Sequence, residues 1–136
     1  MRVRGLTALV TFRTAVFAGL VLAPGAPAAQ DAGDSARGRE VFLRACQPCH
    51  DAEAGSHHVG PSLYGVIGRE IGAVAGYRRY SQALKRADGT WTPARLDRYL
   101  SDPVAMFPEQ RKRYDGLKSP QDRVDLIAYL RHIRTD

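Results

Sequence analysis

Cys46-Gln47-Pro48-Cys49-His50 places two thiols and an imidazole within five residues, and it uses both cysteines of the 136-residue chain. Thiols this close cannot staple distant segments, so a disulfide scaffold is excluded. Three chemistries and a chance match remain. A thioredoxin-like redox pair needs a preceding strand and a βαβ context, and the residues before Cys46 offer neither. A zinc site needs a fourth ligand; His57 and His58 are near, but no second C-x-x-C or H-x-x-H pair occurs. A chance match would have to consume every cysteine in the chain. The third chemistry is haem attachment. Each thiol adds to one vinyl group to form a thioether, and the histidine after the second cysteine lies beneath the ring and coordinates iron. The motif points to one covalent haem c on Cys46 and Cys49, with His50 as proximal ligand.

The elements that must position this motif read as helices. Asp34 is an N-cap for a helix over Ser35 to Cys46, where Val41, Phe42 and Ala45 recur at helical spacing. Residues 51–76 carry six glycines and Pro61 and read as loop, with His57 and His58 facing solvent. Ser81 to Ala87 forms a short helix. Thr92-Pro93 starts another, which runs to Ser101 and stops before Pro103. Residues 102–118 read as loop. Ser119-Pro120 repeats the cap-plus-proline start, and Asp122 favours the helix dipole. The last helix runs to Arg134 with rows Val124, Ile127, Leu130 and Leu126, Leu130, Ile133. No segment alternates long enough for a strand. Such long loops on so short a chain fit a fold that wraps a large apolar cofactor.

Composition agrees with one small globular domain: 44% apolar and 25% charged residues. Residues 1–28 read as a secretory signal peptide. Arg2, Arg4 and Arg13 precede or flank an uncharged stretch from Thr14 to Ala23, and Ala26-Pro27-Ala28 is an A-x-A cleavage signal. Residues 29–34 are a short linker and 35–136 the domain. Export most simply means a bacterial periplasm. Losing the three arginines lowers the net charge from +6 to +3. That balance, without any nucleic-acid-binding motif, excludes a nucleic-acid binder. No apolar run is long enough for a membrane span, so no transmembrane anchor remains after cleavage.

From about Gly38 to Ile133 the chain resembles the class I c-type cytochromes, the single-haem kind of bacterial periplasms and mitochondria. Gly38-x-x-x-Phe42-x-x-x-Cys46 is similar to the family's first helix, and Leu126-Ile127-Ala128-Tyr129-Leu130 to its last. The resemblance implies an all-α class I cytochrome c fold, with three to five helices and long loops around one covalently bound haem. It implies that the Pro61 carbonyl, in Gly60-Pro61-x-Leu63, accepts the axial histidine's hydrogen bond. It also implies that Arg69, Tyr80 and Trp91 bind the haem propionates. Taken singly, Trp91 and Tyr80 suit a core or rim, and Arg69 a solvated surface.

One departure bears on function. The family's iron-ligating methionine aligns with Lys112, in Pro108-Glu109-Gln110-Arg111-Lys112-Arg113-Tyr114, and the only methionine of the mature chain is Met106. Lys112 ligates as a free base, Met106 swings in, the sixth site is open, or Lys112 is one member of a solvated basic run. At neutral pH a lysine ligand must first lose a proton held with a pKa of roughly 10.4, a cost of about 4–5 kcal/mol.

Two functions follow. The first is a non-enzymatic periplasmic electron carrier, a monomer serving acidic redox partners: a respiratory or photosynthetic complex, a dehydrogenase or an oxidase. Arg78, Arg79, Lys85 and Arg86, with Arg111, Lys112 and Arg113, would steer them. The alternative is a haem protein that binds carbon monoxide or nitric oxide, or is weakly peroxidatic, at an open or lysine-ligated iron.

Overall fold

The computed structural model describes residues 33–108 and 114–134. Five helices succeed one another: α1 (Ser35–Ala45), α2 (Gln82–Lys85), α3 (Pro93–Ser101), α4 (Pro103–Met106) and α5 (Pro120–His132). Each starts where a side chain satisfies the free N–H groups of its first turn. Asp34 accepts from Ala36 and Arg37. Thr92 accepts from Arg95 and Ser119 from Asp122, in each case with proline at the start of the helix.

The frame is the crossing of α1 over α5. Gly38 lies against the α5 backbone, where a Cβ would overlap the Asp125 carbonyl. Only glycine allows that approach. One turn on, the ring of Phe42 tilts onto Tyr129 at 5.4 Å. The carboxylate of Asp125, 2% exposed, is fully used at the joint. It accepts from the Asp34 N–H at 2.7 Å and the Gln121 amide at 2.9 Å, and Arg37 stands 3.4 Å away. Val41, Phe42, Leu126 and Leu130 form the core between the two helices. Helix α3 packs against α5, and Arg123 Nε ties them by donating to Asp97 at 2.7 Å.

The long connections are the all-α fold's second part. Among the described residues the β contribution is a single isolated bridge, Glu70 to Thr90. The expectation that 102–118 is all loop needs correction, because α4 lies inside it. Asp102 caps α4 by accepting from Ala105 at 3.0 Å, and Pro103 is its first residue. Pro103 thus both ends α3 and starts α4. His57 also differs from its expected solvent-facing role. Its Nε2 donates to the Ala75 carbonyl at 2.8 Å and its Nδ1 accepts from the Ser62 N–H at 3.1 Å, so it braces two loop segments. The expected signal peptide (1–28) and residues 29–32 of the linker lie outside the described residues.

Candidate functional site

The cysteine motif forms the turn that ends α1. Cys46 caps the helix through its N–H on Phe42 O. Its own carbonyl then accepts from Cys49 at 3.0 Å and His50 at 2.9 Å. That tight turn leaves Cys46 buried and Cys49 exposed, both unbridged. Burial, with Cys49 beside it, pushes the Cys46 thiol up to about 11. A thiol that resists ionisation is a poor redox nucleophile, which argues against the thioredoxin-like reading.

His50 is held by its own loop. Gly60 N–H donates to the Cys49 carbonyl at 2.7 Å, which brings the following proline to the imidazole. Nδ1 of His50 donates to the Pro61 carbonyl at 2.7 Å. A carbonyl only accepts, so the proton sits on Nδ1 and Nε2 keeps a lone pair. Burial lowers the imidazole's pKa, keeping it neutral. Gly60 makes room for this: a Cβ there would fall on the His50 ring.

The imidazole lines a cavity of about 300 Å³ shared with Cys46 and Cys49. Its walls are mostly apolar, with Leu63 and Val66 from the loops, Leu96 and Leu100 from α3, and Leu126 and Leu130 from α5. Several further residues reach it: Tyr77, Arg79, Ser81, Tyr99 and Tyr114. The sequence reading assigned none of these to the cavity wall. The α3 members were detectable, since Leu96, Tyr99 and Leu100 recur at helical spacing. Tyr77 and Arg79 come from a glycine-punctuated loop and carry no such signal. Tyr77 donates to the Val59 carbonyl at 2.8 Å, and Arg79 donates to the His58 carbonyl while lying over the Tyr77 ring.

Arg69, Tyr80 and Trp91 gather beside the cavity rather than on its wall. The Trp91 N–H donates to Arg69 O at 2.9 Å, and Trp91 accepts from Gly68 at 2.9 Å. The Trp91 ring, 8% exposed, packs on Tyr99 at 5.0 Å. Arg69 donates through Nη1 to the Tyr64 carbonyl at 3.0 Å, while its buried Nε has no partner. Burial raises the Tyr80 pKa and lowers that of Arg69. Met106 lines a separate surface pocket with Asp97, Arg98 and Asp102. Lys112 lies outside the described residues. Among the described residues no cluster of three or more His, Cys, Asp or Glu that could hold a metal ion is present.

Helices and loops folded around an apolar cavity, with a C-x-x-C-H turn and a neutral imidazole on its wall, define a c-type haem protein. The family model for cytochrome c matches residues 35–134, and the chain belongs to that family. Cytochrome c of Chlamydomonas reinhardtii is 46% identical over 101 residues, covering 74% of this chain and 89% of that protein. Cytochrome c2 of Rhodopila globiformis is 40% identical over 102 residues, covering 75% and 95%. The solved structure of cytochrome cH from Methylobacterium extorquens superposes with a TM-score of 0.66 at 37% identity, covering 73% of this chain and 98% of that one. The fold is that of a class I c-type cytochrome, the cofactor is one covalently attached haem c, and the work is haem-based electron transfer.

Proposed function

We propose that this chain is a non-enzymatic electron carrier of a bacterial periplasm, holding its haem on Cys46 and Cys49 with His50 as proximal ligand. The His50–Pro61 hydrogen bond carries the reading. A half-buried, neutral imidazole with a fixed tautomer and a free Nε2, one residue from the second thiol, suits an iron ligand. The described residues fit a haem in two further ways. The cavity is apolar where a macrocycle would lie, and the unpaired Nε–H of Arg69 is a donor for a carboxylate. When bound, the haem supplies reversible exchange of one electron. Around it, Cys46 and Cys49 anchor the ring, Pro61 orients the ligand, and the apolar walls exclude water. Arg69, with Tyr80 and Trp91 behind it, binds the propionates. Arg78, Arg79, Lys85 and Arg86 are exposed, and Arg79 reaches the cavity wall. Positive charge there supports docking of an acidic redox partner. The signal-like segment at 1–28 supports export, and no helix among the described residues is long and apolar enough to cross a membrane.

Mass spectrometry of the mature protein tests this reading. We expect the mass of one haem, retained through acid–acetone extraction, and an N-terminus at Ala29 in the periplasmic fraction. Haem lost to acid–acetone would refute thioether attachment, and a cytoplasmic, full-length chain would refute export.

A second reading is favoured by one observation: no methionine among the described residues lines the cavity. A thioether ligand favours ferrous iron. Without one, we expect a low potential for a class I cytochrome, with the sixth position of the iron either open or held by Lys112. A near-infrared sulfur-to-iron band that is lost in Met106→Leu would overturn this.

A further inference from the structure

His50 and His57 are joined through a single peptide group. The Pro61 carbonyl accepts from His50 Nδ1 at 2.7 Å, and the Ser62 N–H donates to His57 Nδ1 at 3.1 Å. These are the oxygen and the hydrogen of one amide. Bracing two loop segments requires only that the His57 ring touch both. The amide it selects is the one that orients the proposed iron ligand.

The partners fix the His57 tautomer. An N–H only donates and a carbonyl only accepts, so Nδ1 carries the lone pair toward Ser62, and Nε2 carries the proton donated to the Ala75 carbonyl at 2.8 Å. The amide between the two rings is itself held. Ser62, 1% exposed, donates its hydroxyl to the Glu53 carbonyl at 2.5 Å and accepts from the Tyr64 N–H at 3.1 Å. The His57 ring meets the Tyr77 ring edge-on at 5.7 Å, and Tyr77 donates to the Val59 carbonyl. Hydrogen bonds in series polarise one another, by about 10–30% per bond. An amide whose N–H is drawn to a lone pair gathers negative charge on its oxygen. That oxygen pulls harder on the His50 proton and makes Nε2 of His50 a more basic ligand. A more basic ligand favours ferric iron.

We propose that His57 is a positioning residue for electron transfer: through the Pro61–Ser62 amide, its Nδ1 lone pair strengthens the His50–Pro61 hydrogen bond and lowers the reduction potential of the haem that His50 holds. The proposal rests on the haem reading above and deepens it. The effect passes along the amide and needs no contact between the two imidazoles.

Two substitutions separate this relay from bracing. Asn carries an oxygen near the position of Nδ1, so His57→Asn keeps an acceptor for Ser62 and loses the bond to Ala75. Gln carries its amide near the position of Nε2, so His57→Gln keeps the donor to Ala75 and leaves the Ser62 N–H without its acceptor. Wild-type and variant holoproteins are purified, covalent haem is confirmed in each by its pyridine haemochrome, and midpoint potentials are measured by optical redox titration at constant pH and ionic strength. We expect His57→Gln to raise the ferrous-to-ferric ratio at a fixed applied potential by about threefold. That is a positive shift of about 30 mV, at roughly 59 mV per tenfold for one electron. His57→Asn should stay close to wild type. Equal potentials in all three proteins overturn the proposal. So does a shift in His57→Asn as large as that in His57→Gln, which is the result of bracing alone. Wild type gives a check that needs neither variant to fold. Nitrogen-15 shifts of the ferrous holoprotein should place the lone pair of His57 on Nδ1 and its proton on Nε2, and the opposite tautomer overturns the proposal. A wild-type chain without covalent haem overturns the functional reading as well, and the haemochrome distinguishes that case.

Discussion

Pro61 contributes a backbone carbonyl to the site, and that oxygen decides which nitrogen of His50 is free. The pairing depends in turn on a missing side chain. At Gly60 even a methyl group would strike the imidazole ring, so Gly60→Ala must move either the loop or His50. Outer-shell disruptions of this kind weaken a metal–ligand bond by roughly tenfold or more. We expect Gly60→Ala to lower holoprotein yield and to populate a high-spin form at neutral pH, read from the visible spectrum. A low-spin spectrum identical to wild type would show that His50 needs no such support. The cysteines differ at this scale too. Cys46 is buried and hard to ionise while Cys49 is exposed, so the two thiols meet a haem from different environments although the motif treats them alike.

At the scale of elements, the α1–α5 crossing determines whether the cavity exists, because Leu126 and Leu130 form its floor from α5 while α1 delivers the cysteine turn. Alanine at Gly38 would gain about 1 kcal/mol of helix propensity. It would also drive a methyl into the Asp125 carbonyl, and overpacking of this kind costs about 1–3 kcal/mol or more. We expect Gly38→Ala to be destabilised on balance, with an earlier urea midpoint for the holoprotein. Asp125 gives a second test of the same joint. Asp125→Ala strands the Asp34 N–H and the Gln121 amide, at a cost of about 1–3 kcal/mol per unsatisfied group. Asp125→Asn keeps an acceptor oxygen for Asp34 and should lose less. If the two substitutions are equally harmful in urea unfolding, the charge opposite Arg37 matters more than the acceptor. The ion pair Arg44–Asp122, 2.6 Å long but half exposed, adds little.

For the whole molecule the informative quantity is where charge sits, not its total. Arg78 and Lys85 are exposed, near the cavity wall reached by Arg79 and Ser81. Reversing both, as Arg78→Glu with Lys85→Glu, should slow second-order electron exchange with an acidic partner by about tenfold at low ionic strength. The gap should close as salt shortens the screening length to about 10 Å near 0.1 M. Stopped-flow rates across a salt series check this; variant and wild type running in parallel at every ionic strength would remove electrostatic docking. Neither substitution touches the haem-holding residues, so the absorption spectrum should stay as in wild type.

The amino-acid sequence alone determined what is local. The thioether motif, the cap-plus-proline starts at Thr92 and Ser119, the apolar rows of α5 and the C-terminal limit of α3 at Ser101 all follow from neighbours within a few residues, where spacing is geometry. α4 shows the edge of that logic. Asp102-Pro103 carries the same start signature, but Pro103 was read as a stop, and a four-residue helix has no periodicity to argue otherwise. Tertiary structure decided what depends on distant residues meeting. It joined Nδ1 of His50 to a carbonyl eleven residues on and turned His57 from a solvent-facing side chain into a brace. It moved Met106 to a separate pocket and brought Tyr77, Arg79 and Tyr114 to the cavity wall. It also gathered Arg69, Tyr80 and Trp91 beside that wall. Burial and pairing across the chain set those outcomes, between residues that local spacing alone does not relate; the His50–Pro61 bond was legible only through the resemblance.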